Sequence, residues 1–168
     1  ELGGDFTYLA DIENNLNRIE SQTVATNETK LFALSIQDNL ARVQEGTQEM
    51  RDDVFSASAT MTVTDASRFA VEAERQLDVA ISALNGWAGG RSLFAGTATG
   101  TSPLNSTETL MTELISEVSG LTTADDVIQA VKDWFNDPAG FDTAMYKGST
   151  TNISAVEVGD GQKVSLIC

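Results

Sequence analysis

The chain has 168 residues, 41% hydrophobic and only 7% aromatic, and its 25 acidic and 10 basic side chains give a formal net charge of −15. A surface that acidic repels phosphate backbones and anionic lipid, which argues against nucleic acid and bare membrane as partners. It has no histidine and a single cysteine, Cys168, so the usual Cys/His zinc sites, intrachain disulfides, and Ser-His-Asp or Cys-His nucleophile sets cannot be built from it.

The small aromatic share leans towards thin helical packing, in which each helix hides only one stripe. No run approaches the roughly 18 apolar residues that span a bilayer, and no cleavable signal peptide opens the chain. The start at Glu1 and the stop inside the apolar run Val164 to Cys168 read as those of a trimmed fragment.

From about Asp5 to Met50 there is no proline, and Gly46 is the only glycine. Leu9, Ile12, Leu16 and Ile19 recur in steps of three and four, as do Ala33, Ile36, Leu40, Val43, Met50 and Val54. That is the period of a helix showing one stripe to a partner. Between Glu20 and Lys30 the stripe turns polar and the two apolar runs are out of heptad phase, which predicts either a stutter in one long helix or a break between two. A second helix is predicted from about Asp65 to Gly89, capped by Thr64 or Asp65 and striped by Ala66, Ala70, Ala73, Leu77, Ala80, Leu84 and Trp87. Gly86, Gly89 and Gly90 are expected to end it.

The stretch Ala98 to Ser106 reads as a loop. Two short helices follow. One spans about Thr107 to Val118; the other is capped by Thr123 and Asp126 and stopped by Asp137, Pro138, Ala139 and Gly140. The period then switches to alternation, with Ser154, Val156 and Val158 on one side, Gly159-Asp160-Gly161 as the turn, and Val164 and Leu166 beyond. This is a hairpin signal, and an isolated hairpin needs further strands or packing on the short helices.

Chemistry finds few footholds. Asp125 and Asp126 occupy a first helical turn, where the helix dipole favours negative charge, so helix starting accounts for them better than acid–base work. Gly89-Gly90 and Gly96 to Gly100 lack the lysine of a phosphate loop. Trp87, Trp134 and Phe135 could line a pocket, but at helical spacing such residues are more often core. No catalytic residue, cofactor or metal is expected.

Gly90-Arg91-Ser92-Leu93-Phe94-Ala95-Gly96-Thr97, directly after an amphipathic helix, resembles the Gly-Arg-aromatic-Leu-Phe-Ser/Ala-Gly-Thr signature of the flagellar hook–filament junction family, the third hook-associated protein. That family is itself similar to flagellin. Tyr146-Lys147-Gly148 resembles its Tyr-x-Gly motif, with Ser149 where aspartate is usual, and Gly159-Asp160-Gly161 with Val164 resembles the strand pair that follows. Ser92 departs from the usual Tyr or Phe, and the helical pair of about Thr107 to Asn136 departs from a plain all-β outer domain.

The resemblance implies a mainly α protein: an elongated antiparallel long-helix rod over residues 1–97, flagellin-like, then a small α+β outer domain over 98–168 with a helical pair and a β-hairpin. It implies a structural subunit exported without a cleaved signal peptide to the extracellular flagellum, joining hook to filament. Its partners would be copies of itself, other hook-associated proteins, flagellin and an export chaperone. A flagellin filament subunit is the nearest alternative; a secreted helical binding module belongs to another class. The family turn is Gly90, Arg91, Leu93, Phe94, Gly96 and Thr97. The expected packing stripe is Leu9, Ile12, Leu16, Ile19, Ile36, Leu40 and Val43, with Ala70, Ala73, Leu77 and Leu84 opposite. Arg91 is expected to satisfy carbonyls at the helix end, and Leu93 and Phe94 to fold back as a plug over the rod.

Overall fold

A computed structural model describes residues 3–57, 62–159 and 161–165, with side chains from Thr7 onward. Asp160, Leu166 and Cys168, which figured in the hairpin and cysteine readings, lie outside the described residues. The fold is mainly α.

The first element, α1, runs without interruption over Gly3–Ala57, 55 residues, or about 80 Å at the helical rise. The polar stretch does not break it, because its hydroxyls turn back onto the helix. Ser21 Oγ donates to the Asn17 carbonyl (2.8 Å), Thr23 Oγ1 to Ile19 (2.8 Å) and Thr26 Oγ1 to Gln22 (2.7 Å). Those bonds hold each polar side chain within the preceding turn instead of competing for another backbone path. The two apolar runs therefore sit on one continuous helix, roughly 130° apart around its axis at the ideal helical repeat. They face different surroundings.

Helix α2, Val63–Leu84, starts two residues before Asp65. Its cap is Thr62: the Thr62 hydroxyl accepts from Asp65 N (3.2 Å) while Thr62 N donates to the Asp65 carboxylate (3.0 Å). This reciprocal pair satisfies two amides that a helix start leaves open. It lies antiparallel on the second half of α1, since Gly46 faces Gln76 and Asn39 faces Gly86. A side chain on Gly46 would meet the Gln76 amide, so the missing Cβ leaves room for that amide between the helices.

α2 ends at Leu84, five residues before the predicted end, and Trp87 is on no helix stripe. It begins β1, Trp87–Ala88, which pairs antiparallel with β2, Arg91–Ser92. Helices α3, Thr107–Glu117, and α4, Ala124–Asn136, follow with Ser106 and Thr123 as caps. A one-turn π-helical segment, Pro138–Asp142, kinked at Gly140, closes the helical part. The core gathers Ile81 of α2, Leu104, Leu110 of α3, Trp134 of α4 and Met145. Trp134 meets Phe141 edge-on at 5.9 Å, the arrangement its ring quadrupole favours.

Strands β3, Val156–Gly159, and β4, Gln162–Val164, form the expected hairpin with Val156 opposite Val164 and a bulge between Glu157 and Gly159. Among the described residues it is supported neither by further strands nor by the short helices. It lies against α1, where Thr26 Oγ1 is 3.2 Å from the Val158 carbonyl oxygen and Val156 and Ile153 share a cavity wall with Ala25, Thr29 and Phe32.

Candidate functional site

Two features stand out: a turn locked from two directions and, beside it, an open helix face. The turn begins where α2 runs out. Asn85 N–H donates to Ile81 O (2.8 Å) and Gly86 N–H to Ala83 O (3.1 Å), closing the helix end. The Asn85 side chain then behaves like a piece of strand: its Oδ1 accepts from Leu104 N (2.8 Å) and its Nδ2 donates to Leu104 O (3.2 Å). The chain next makes a two-residue hairpin through Gly89 and Gly90, with φ of +57° and +75°. Both are left-handed, as the tightest twist-matched hairpin turns require, and glycine enters that region freely.

Leu93 N–H returns to Gly86 O (3.0 Å) and Ser92 N–H reaches Thr99 O (2.8 Å). Ser92, Leu93 and Ala95 are fully buried, while Phe94 is half-buried. The plug is thus Leu93, seated on the end of α2, more than Phe94. Gly96 has φ +57°, and a Cβ there would overlap the Ser149 and Thr151 carbonyl oxygens. Only glycine fits, on both counts.

What presses on Gly96 is the Ser149–Thr151 backbone, just past Tyr146-Lys147-Gly148, so the two stretches that carried the family resemblance meet in one structure. Ser149 N–H donates to Ala95 O (2.9 Å), Thr97 N–H to Thr151 O (3.0 Å), and Thr97 Oγ1 to Ser149 Oγ (2.8 Å). The Tyr146 hydroxyl sits between Phe94 O (3.3 Å) and Ser149 O (3.1 Å), and burial pushes its pKa up. Ser149 Oγ also accepts from Thr151 N (3.1 Å), filling the acceptor role that an aspartate carboxylate could play there. Ser92 Oγ is the exception among the described residues: buried, with no hydrogen-bond partner.

Arg91 does not cap the helix. Its guanidinium lies over the Phe32 ring, 5.3 Å from the centroid, tying the hairpin to α1 by a cation–π contact. The Ile81 and Ala83 carbonyls at the helix end are instead taken by the Asn85 and Gly86 amides.

The predicted stripe divides. Leu9, Ile12, Leu16 and Ile19 are exposed, as is every described residue from Thr7 to Glu20. Ile36 and Val43 are half-buried near α2, whereas Leu40 is exposed. On α2, Leu77 and Leu84 are half-buried and Ala70 and Ala73 exposed; Phe69, Glu72 and Gln76 are half-buried as well. The exposed part of this seam is an apolar groove of about 660 Å³ between the helices, with Val43, Met50, Val54 and Phe55 on one wall and Ala73 and Leu77 on the other.

The shifted titratable groups each have a structural cause. The Thr62 hydroxyl and amide hold the Asp65 carboxyl below the usual aspartate range. Arg75, hydrogen-bonded to Glu72, lowers the glutamate and is itself raised. Among the described residues no group of His, Cys, Asp and Glu is placed to hold a metal ion, and no helix is long and apolar enough to cross a membrane. Asn85, Leu104, Asn105 and Met145 escaped the sequence reading; Asn85, just past the last apolar residue of α2, was a usable signal. No protein-family model, no curated protein and no solved structure matches this chain.

Proposed function

We propose that the chain is a structural subunit of the bacterial flagellum that joins hook to filament by helical packing between subunits. The observation that carries the reading is the uncovered first third of α1. Leu9, Ile12, Leu16 and Ile19 form a stripe on a helix about 80 Å long, and the described residues leave it to solvent. A soluble monomer gains nothing by displaying such a stripe, whereas an assembling subunit buries it against a neighbour. The resemblance of Gly90 to Thr97 and of Tyr146 to Gly148 supports the choice of family, and their convergence in one seam supports reading them as parts of one device.

Its work would be mechanical and its partners flagellar axial proteins and further copies of itself, outside the cell. Deleting the gene tests this. Cells should keep intact hooks and shed flagellin unpolymerised into the medium. Filaments of normal length on those cells would overturn the reading.

A further inference from the structure

Asn85-Gly86 is the only Asn-Gly pair in the 168 residues, and such a pair has a chemistry of its own. The backbone nitrogen of the second residue can attack the asparagine Cγ, closing a succinimide ring and expelling ammonia. Glycine obstructs this least, because it has no Cβ and its backbone turns freely. Packing fixes both members of the pair. The Asn85 amide makes the paired bonds to Leu104 N–H (2.8 Å) and Leu104 O (3.2 Å). A Cβ on Gly86 would stand 2.9 Å from Ala83 O and 3.0 Å from both Asn39 Nδ2 and Leu93 Cδ1, so a side chain there displaces its neighbours.

The closed joint withholds the reaction in three ways. At ψ 16° the Gly86 nitrogen nearly eclipses Asn85's own nitrogen and so lies turned away from the Asn85 Cβ, whereas ring closure needs the two on one side. Its N–H is engaged by Ala83 O (3.1 Å), and attack requires the loss of that proton. The side chain that would have to swing towards it is tied at both ends to Leu104, which is only 8% exposed. Gly86 O in turn holds Leu93 N–H (3.0 Å). These restraints share one joint, so a local opening at the end of α2 releases them together.

We infer that Asn85 is a site of spontaneous deamidation, reached only through opening of this joint, and that the reaction keeps the joint from reclosing as before. Water or hydroxide takes the Gly86 N–H proton, and the N–Cγ bond forms as ammonia leaves. One water then adds across a ring C–N bond. Cleavage at Cγ gives aspartate; cleavage at the backbone carbonyl carbon gives isoaspartate. Aspartate has no hydrogen to offer Leu104 O, and it places a new negative charge at the C-terminus of α2, where the helix dipole disfavours it. Isoaspartate also routes the backbone through an extra methylene between α2 and β1. Neither product rebuilds the paired bonds, so the joint acts as a latch that records its own opening.

Incubating the full chain in mildly alkaline buffer, folded and in urea, tests it. In urea, peptide mass spectrometry should place a gain of about one mass unit on Asn85 ahead of every other asparagine, with isoaspartate confirmed by enzymatic methylation. In the folded protein the same site should react roughly tenfold more slowly or slower still. That slowing should match, within about threefold, the hydrogen-exchange protection of the Leu104 amide, since one opening governs both. Leu93→Ala, which loosens the packing against Gly86, should raise the folded-state rate several-fold and leave the rate in urea unchanged. The deamidated chain, separable by its added charge, should unfold at a lower urea concentration. An unreactive Asn85 in urea, folded and unfolded chains reacting alike, a folded-state rate far above the limit set by Leu104 exchange, or an unchanged urea midpoint after deamidation would each overturn the inference. None of these results bears on the deletion phenotype, so the two readings fail separately.

Discussion

Replacing Gly96 by alanine strikes the seam between the turn and the Tyr146 segment at its tightest point. Two separable penalties arise. The left-handed backbone at φ +57° is disfavoured for an L-residue by about 1–2 kcal/mol. The new methyl would also stand on the Ser149 and Thr151 carbonyl oxygens, so the 149–151 backbone must retreat and the bonds from Ser149 N, Thr97 N and Thr97 Oγ1 are lost or stretched. At about 1 kcal/mol net for each, the total is roughly 4 kcal/mol. Gly90→Ala supplies the control: its φ is +75°, yet a Cβ there meets nothing within 4 Å, so only the backbone term of about 1–2 kcal/mol applies. Urea unfolding of the three proteins gives the free energies. Hydrogen exchange at Thr97 and Ser149, whose amides the seam protects, reports whether the loss is local. Equal destabilisation of the two variants would refute the claim that close approach, beyond backbone angle, dictates glycine at position 96.

Ser92→Ala removes a buried hydroxyl with no partner and should raise stability by about 1 kcal/mol, seen as a higher urea midpoint with an unchanged slope. Asn85→Ala strips both hydrogen bonds to Leu104 and leaves buried backbone groups unpaired, a loss of roughly 2–3 kcal/mol in the same assay. The Asp65 carboxyl, held below its ordinary range by Thr62, contributes to the start of α2 above the unfolded aspartate pKa. That contribution fades as pH falls through the lowered folded value, so the protection of amides at the start of α2, taken relative to their intrinsic exchange at each pH, should drop in acid, and Asp65→Asn should abolish that drop.

Short-range features were the legible ones. Thr123 and the Pro138–Gly140 stop could be placed because capping and breaking are decided within four residues. Gly159 and Gly161 likewise announced the β3–β4 hairpin. A polar run does not say where its hydroxyls point, so the sequence leaves the continuity of α1 open; once Ser21, Thr23 and Thr26 bond backwards, the run costs the helix little. Trp87 keeps the three-four rhythm of a helix, but Gly89-Gly90 between two short pairs is a hairpin signal, and in the structure the hairpin prevails. Period alone could not reveal that the first apolar stripe stays open while the second meets α2, nor that the hairpin rests on α1 near Thr26. Those depend on contacts between distant segments. The motif residues Gly96 and Tyr146 could be singled out separately, but their meeting follows from a path that no local pattern encodes.

Because Thr97 and Ser149 touch, the segment between them starts and ends at one spot, an excursion with a clasped base that packs back on α2 through Leu104 and Leu110. A clasp of this sort separates two kinds of sequence change. Residues added at the far tip, in the turn Ser119–Thr122 between α3 and α4, extend the excursion without moving its foot. A one-residue shift inside Phe94–Thr97 or Tyr146–Ser149 throws the two ends out of alignment. Tagging, labelling or grafting of a foreign epitope therefore belongs at that tip, and a lineage of such proteins would be free to ornament it while keeping the clasp fixed.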